Sequence, residues 1–232
     1  MDAAEFDRFA DEYRQMHEKN IAITGEKPEF FHEYKIKLLS QWAREANIQA
    51  ENILDFGSGV GNSTPFLRRY FPAAELVSAE VSNSSLKLAE SRFPGMAKGL
   101  RMDGERIPAP DDAFAITFAA CVFHHIPHEE HVFWLRELHR VTRPGGMLTI
   151  FEHNPLNPLT VRAINSCPFD ENAHLITATR LVESYREGGW KNPKTRYHVF
   201  FPRALAGLRA LEPCLSHVPF GGQYSVNAIK TV

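Results

Sequence analysis

Ile53-Leu54-Asp55-Phe56-Gly57-Ser58-Gly59-Val60-Gly61-Asn62-Ser63-Thr64-Pro65-Phe66-Leu67 is the stretch from which the rest of the chain can be read. A short apolar run ends in an acid, breaks into alternating glycines and resumes with helical spacing, which predicts strand, tight loop and helix. Glycine has no Cβ, so such a loop can take positive φ and bring a small ligand against bare backbone, while the helix that follows offers free N–H groups. The spacing is Gly57-x-Gly59-x-Gly61, with Asn62 where a dinucleotide fingerprint carries its last glycine, and this disfavours a nicotinamide-dependent reductase. No Gly-Lys-Ser/Thr follows, so the loop is not a P-loop.

Downstream, Glu75-Leu76-Val77-Ser78-Ala79-Glu80-Val81 reads as a second short strand ending in an acid. In doubly wound sheets an acid at that place lies beside the first loop and can accept both ribose hydroxyl protons, which makes Glu80, with Val81 next to it, a candidate ligand contact. Ser82-Asn83-Ser84 offers caps for a helix that stops before Pro94-Gly95. Residues 98–102 form a weak third strand, followed by Asp103 and Gly104. The near-continuous apolar run Phe114–Phe123 suits a central parallel strand buried on both faces, and His124-His125-Ile126-Pro127 follows at its carboxyl end. Ligands of open α/β sheets bind outside the carboxyl ends of the strands, so polar residues there point at chemistry. Pro144-Gly145-Gly146 is a turn feeding a fifth strand that ends near Glu152-His153-Asn154-Pro155. A helix over 177–187 and strands over 194–201 and 223–230 complete the chain.

Composition narrows the function classes. The chain has 232 residues, 26 Lys and Arg against 28 Asp and Glu, and a formal charge of −2, so it lacks the global basic footprint of a nucleic-acid binder. Cys121, Cys167 and Cys214 show no CxxC spacing, which suggests neither a disulfide framework nor a cysteine zinc site and fits a reducing cytoplasm. The N-terminus lacks a basic start and an apolar core, and no long apolar run occurs, so a soluble, cytoplasmic protein without a membrane segment is expected. His124, His128 and His131 have plausible ligand spacing, but His128-Glu129-Glu130-His131 is not the His-Glu-x-x-His of zinc proteases, and no metal site is expected.

An acid two residues before Gly-x-Gly-x-Gly resembles motif I of class I S-adenosylmethionine-dependent methyltransferases. Other landmarks resemble the same family in the same order: Pro110-Asp111-Asp112-Ala113-Phe114 leading into strand four, His124-His125-Ile126 after it, and Pro144-Gly145-Gly146 before strand five. Ala115 departs from the pattern, since many relatives carry Asp there. The resemblance covers roughly residues 50–232 and suggests a bacterial small-molecule type, similar to methyltransferase types 11 and 12 and loosely to enzymes of sugar and secondary-metabolite pathways. Adenine-N6 methyltransferases place Asn/Asp-Pro-Pro-aromatic after strand four, and His-His stands there instead.

The resemblance implies a single α/β domain over 1–232, with a helical cap over 1–48 and a core over 49–232. It implies a Rossmann-like, mostly parallel seven-stranded sheet, an antiparallel C-terminal strand, helices on both faces and an N-terminal helical lid. The cofactor implied is S-adenosyl-L-methionine, with S-adenosyl-L-homocysteine as product and a small-molecule methyl acceptor as partner. Gly57, Ser58, Gly59, Gly61 and Asn62 would hold its methionine end, Asp55 its ammonium, Glu80 and Val81 the ribose, and Asp103 and Gly104 the adenine. Backbone at Ala119 would complete the cradle. A non-catalytic cofactor-binding module on the same fold is the alternative reading.

An alcohol, phenol or acidic carbon must lose a proton as it is methylated, and histidine, with a reference pKa of about 6.5, is a suitable acceptor. His125 is the first candidate, followed by His124 and His153. At the N-terminus, Phe6, Phe9, Tyr13 and Met16 mark one amphipathic helix over 4–18. Phe30, Tyr34, Leu38 and Trp42, with Phe31 and Leu39 as further inward residues, mark a second from about Glu29 to Ala46. Tyr13 and Tyr34 are candidate pocket liners.

Overall fold

The structure is a computed structural model that describes residues 24–166 and 173–231. The helix expected over 4–18, with Tyr13, lies outside those residues, as does most of the stretch after Cys167. In chain order the elements are α1 (Pro28–Glu45), β1 (Asn52–Phe56), α2 (Thr64–Tyr70), β2 (Glu75–Glu80), α3 (Asn83–Arg92), β3 (Lys98–Arg101) and β4 (Phe114–Ala120). They continue with α4 (His131–Val141), β5 (Thr142–His153), α5 (Pro158–Asn165), α6 (Ala178–Glu187), β6 (Lys194–His198), α7 (Glu212–Leu215) and β7 (Gln223–Ile229). Short 3-10 turns occupy Phe123–His125, His128–Glu130 and Arg203–Leu211.

The seven-stranded sheet runs β3-β2-β1-β4-β5-β7-β6. β1 pairs in parallel with β2 on one side and β4 on the other, so the chain reverses direction across the sheet at β1 and opens a crevice there. β7 is antiparallel to both β5 and β6. This is the Rossmann-like sheet with an antiparallel C-terminal strand that the sequence implied.

Strand alternation divides the core into two layers. Leu54, Phe56, Leu148, Ile150 and Val226 point to one face and pack with Trp134 and Leu138 of α4 and Leu181 and Tyr185 of α6. Ile53, Ile116, Phe118, Met147 and Phe151 point to the other and meet Ile36, Leu39 and Trp42 of α1 and Leu67 of α2. The Trp42 ring stacks on Phe151 at 5.9 Å and 11°.

Several local expectations are corrected. The buried stripe of α1 is Phe31, Lys35, Ile36, Leu39, Trp42 and Ala43, whereas Phe30, Tyr34 and Leu38 are only partly buried. Phe31, Leu39 and Trp42 are buried as expected, while spacing from the aromatics placed Phe30, Tyr34 and Leu38 too far inward; Ile36 and Leu39, at 0% exposure, mark the centre of the face. β4 ends at Ala120, three residues early, because Cys121 takes φ +58° and the chain enters a 3-10 turn. Pro144-Gly145-Gly146 is a kink within the range of β5: Gly145 has φ +77° and its N–H donates to Lys230 O, while a Cβ on Gly146 would stand 2.7 Å from Ala115 O. The pairing of β4 with β5 jumps there, from Phe114↔Thr142 to Ile116↔Met147. β6 stops at His198 instead of reaching Phe201.

The phase of α1 is measurable. Leu39→Ala should cost about 2–5 kcal/mol in urea unfolding, the range for a fully buried leucine, while Leu38→Ala should cost less than half as much; equal losses would put the stripe back on the aromatic phase.

Candidate active site

The glycine loop is fastened to the end of β2. Gly57 N and Ser58 N both donate to Ala79 O, at 2.8 and 3.1 Å, and Arg92 of α3 reaches Val60 O at 2.8 Å. Gly57, Gly59 and Gly61 have φ of +69°, +52° and +76°, the left-handed region that favours glycine. Their surroundings differ. A Cβ on Gly57 would stand 2.6 Å from a Val122 methyl and one on Gly61 2.9 Å from Ala89 Cβ, whereas a Cβ on Gly59 would meet nothing within 4 Å. Two glycines permit close packing and the middle one faces open space.

Glu80 closes the loop from the side. Its Oε2 accepts from Gly59 N at 2.9 Å, and its Oε1 accepts from Val81 N at 2.8 Å and Ser82 N at 3.0 Å. Ser82 also caps α3, accepting from Ser85 N. Asp55, near the end of β1, is 4% exposed, and its Oδ2 has no hydrogen-bond partner among the described residues; Ser58 Oγ is likewise buried without one among them. Burial, and then the Glu80 carboxylate, push the Asp55 pKa up to about 7. An unpaired carboxylate held this way is an electrostatic deficit that a cation would relieve. Asn62 is partly buried at the start of the turn into α2.

Beyond β3, Asp103 is exposed and its Oδ1 accepts from Glu105 N at 2.9 Å, an Asx turn that holds its carboxyl below the usual range. Gly104 beside it has φ +89° and open space at its Cβ position. Ala119 is fully buried in β4, opposite Ile150.

The three candidate histidines come together at the carboxyl ends of β4 and β5. The His124 ring lies 4.2 Å from that of His125 and 5.2 Å from that of His153. His124 is buried, and its Nδ1 is 2.6 Å from Glu152 Oε2. Glu152, also fully buried, accepts through Oε1 from Val122 N and Phe123 N at 3.0 and 2.8 Å. Burial alone would raise this carboxyl, but the His124 charge and hydrogen bond outweigh it and bring the pKa down to about 2. His125 and His153 are partly exposed. His131 plays a structural part: its Nε2 stands 2.9 Å from Phe123 O and from Ile126 O and fastens the turn to α4.

Four polar residues here escaped the sequence reading. Lys35 of α1, Cys121, Glu152 and Gln223 of β7 all sit at this end of the sheet, with Tyr34 OH donating to Gln223 Oε1. Two left a signal: Lys35 interrupts the apolar stripe of α1, and Glu152 ends an apolar run in β5. An open cleft of about 590 Å³ also lies past β5, between Pro155 and Ser166, and no histidine lines it.

Residues 53–146 match the protein family described as methyltransferase domain. That stretch, from β1 to the kink in β5, is similar to methyltransferase domains. Over 124 residues it is 31% identical to a ubiquinone/menaquinone biosynthesis C-methyltransferase of Ectopseudomonas mendocina, covering 50% of this chain and 48% of that protein. The chain thus spans about half the length of the curated relatives it matches. A SAM-dependent methyltransferase from Thermotoga maritima superposes with a TM-score of 0.64 at 17% identity, over 98% of this chain and 99% of that one. The [4+2]-cyclase SpnF superposes at 0.57 and 19% identity, over 85% and 81%. These two likenesses concern the fold. Among the described residues, no helix is long and apolar enough to cross a membrane.

The methyltransferase cradle fits S-adenosylmethionine on its own geometry: an orphaned buried carboxylate oxygen for an ammonium, a middle glycine open to a ligand, and a second carboxylate at the end of β2. Two predictions follow from it. An ionised Asp55 would attract a ligand's ammonium, so calorimetric affinity for S-adenosylhomocysteine should weaken as pH falls below about 7, by at most about tenfold per unit. Asp55→Asn should weaken binding and flatten that dependence. Gly57→Ala should destabilise the fold by about 2–4 kcal/mol, from left-handed strain plus overpacking. Val122→Ala in the same chain should return part of that loss in urea unfolding.

Proposed function

We propose that this protein is an enzyme that transfers a methyl group from S-adenosyl-L-methionine to a small-molecule acceptor with an oxygen, nitrogen or carbon nucleophile. The observation that carries the reading is the pair of acids on either side of the glycine loop: Asp55, buried with an unpartnered oxygen, and Glu80, oriented by three backbone N–H groups. When bound, the cofactor supplies an electrophilic sulfonium methyl. Gly57, Ser58, Gly59, Gly61 and Asn62 hold its methionine portion and Asp55 its ammonium. Glu80 and Val81 bind the ribose, and Asp103, Gly104 and the Ala119 backbone bound the adenine.

The acceptor side lies at the ends of β4 and β5. Methyl transfer needs the nucleophile, methyl and sulfur in line, so most of the catalytic work is positioning. The remainder is a proton. His125 takes it, because its partly exposed ring stands in the cluster, while His124 is buried and bound to Glu152. His124 then fixes the ring beside it, and the His153 ring lies 5.2 Å from that of His124. The curated relatives are C-methyltransferases of ubiquinone and menaquinone biosynthesis, which makes an acidic carbon or phenol a first acceptor class to assay.

Parallel calorimetry with S-adenosylmethionine and NAD tests the cofactor: binding of the first alone is expected, and binding of NAD alone would overturn the reading. Binding without methyl transfer across a broad metabolite panel would favour a non-catalytic module. With an acceptor in hand, His125→Ala should lower kcat by about 10²–10⁴-fold with S-adenosylhomocysteine affinity unchanged. Full turnover in that variant would remove His125 from the role of base.

A further inference from the structure

Methyl transfer as described leaves one buried cation without a task. Lys35 lies on the sheet-facing side of α1 at 3% exposure, and its Nζ is 3.4 Å from Cys121 Sγ. An ammonium withdrawn from water is costly unless it is paired, and the polar partner that Lys35 has among the described residues is this sulfur. Other polar groups approach from neighbouring elements. Gln223 Nε2 of β7 is 3.8 Å from the same sulfur, with its own oxygen held by Tyr34, and His153 Nδ1 of β5 is 3.5 Å from that amide nitrogen. Cys121 itself ends β4 in a left-handed conformation and is partly exposed. A thiol beside an ammonium and an amide donor, on a residue that is itself partly exposed, is the setting in which cysteines react.

We propose that Lys35 holds Cys121 as a thiolate and that Cys121 is a covalent attachment site for soft carbon electrophiles of the α,β-unsaturated carbonyl class. The sulfur lone pair forms a bond to the β-carbon, and the carbon–carbon π pair moves onto the carbonyl oxygen as an enolate. A proton from solvent then adds to the α-carbon, so the addition needs no further reactant. Lys35 and Gln223, released from the thiolate, remain as donors for the developing oxygen charge. The local electrostatics agree. Burial opposes the thiolate, and so does the Glu152 charge, but the charges of His153 and Lys35 and the His153 hydrogen bond outweigh them and bring the thiol down to about 7. Tyr34, whose pKa burial raises well above its ordinary value, stays a neutral donor to Gln223.

The test is peptide-resolved mass spectrometry of the whole chain treated briefly with N-ethylmaleimide between pH 5.5 and 9.5, a chemistry independent of methyl transfer. The labelling rate of Cys121 should rise with a midpoint near pH 7, below the ordinary thiol value of about 8.5 that free N-acetylcysteine reports in the same buffers. Lys35→Met should move the Cys121 midpoint up by about one unit or more, and Lys35→Arg should hold it close to the native value. A Cys121 midpoint that coincides with that of N-acetylcysteine, a midpoint unmoved by Lys35→Met, or absence of adduct at Cys121 would each overturn the proposal. The native profile decides the matter even if the Lys35 variants fail to fold.

Discussion

A carboxylate with almost no exposure to water must be surrounded by donors or the fold pays several kcal/mol for it. Glu152 meets that condition with two backbone N–H groups and the His124 ring, all contributed by the turn after β4. The turn lies outside the sheet, since β4 has already ended at Ala120, and its only regular structure is a single 3-10 turn over Phe123–His125. The buried charge on β5 therefore dictates where residues 122–124 go. Those residues in turn carry His125 and, through Val122, the wall of the glycine loop.

Glu80 does the same for the other half of the site. It too ends a strand, and it gathers the N–H groups of Gly59, Val81 and Ser82. Two loops that connectivity alone would leave mobile are each wrapped around an anion supplied by a neighbouring strand. Asp55 breaks the pattern. It is as buried as Glu80, but one of its oxygens has no donor, and its pKa moves up to about 7 while that of Glu152 falls to about 2. Opposite shifts in similarly buried carboxyls separate a group that gathers donors around its charge from one whose charge the fold leaves unsupported.

This contrast explains what could be read from the sequence. The glycine loop, Asp55, Glu80 and the order of the strands depend on residues close together in the chain, where spacing carries the information. The histidine pair was legible because strand ends in such sheets face the ligand. Lys35 and Cys121 are 86 positions apart and meet only because α1 covers the sheet face where β4 ends, so no local pattern links them. The face of α1 was misread at Phe30 and Tyr34, which outweigh Ile36 in bulk, although the sheet accepts the narrower aliphatic side chains at the centre of the contact. Glu152 looked like one polar residue at a strand end, and its role became visible only with the N–H groups of residues 122 and 123 in place around it.

The two halves of the site are also in contact. Gly57 of the loop has no room for a Cβ because Val122 occupies that space, and Val122 is fixed by the hydrogen bond from its N–H to Glu152. The same carboxylate fixes His124, and the His125 ring lies against His124. A continuous path of close contacts therefore runs from the backbone that faces the donor to the side chain proposed to take the proton. Close-packed interiors transmit strain of this kind instead of absorbing it. In-line transfer tolerates little error in the distance between donor and base. A rigid path of four residues sets that distance more reliably than a base carried on a free loop, which gives the constellation of Gly57, Val122, Glu152 and His124 a reason to be buried even though none of these side chains need touch the acceptor.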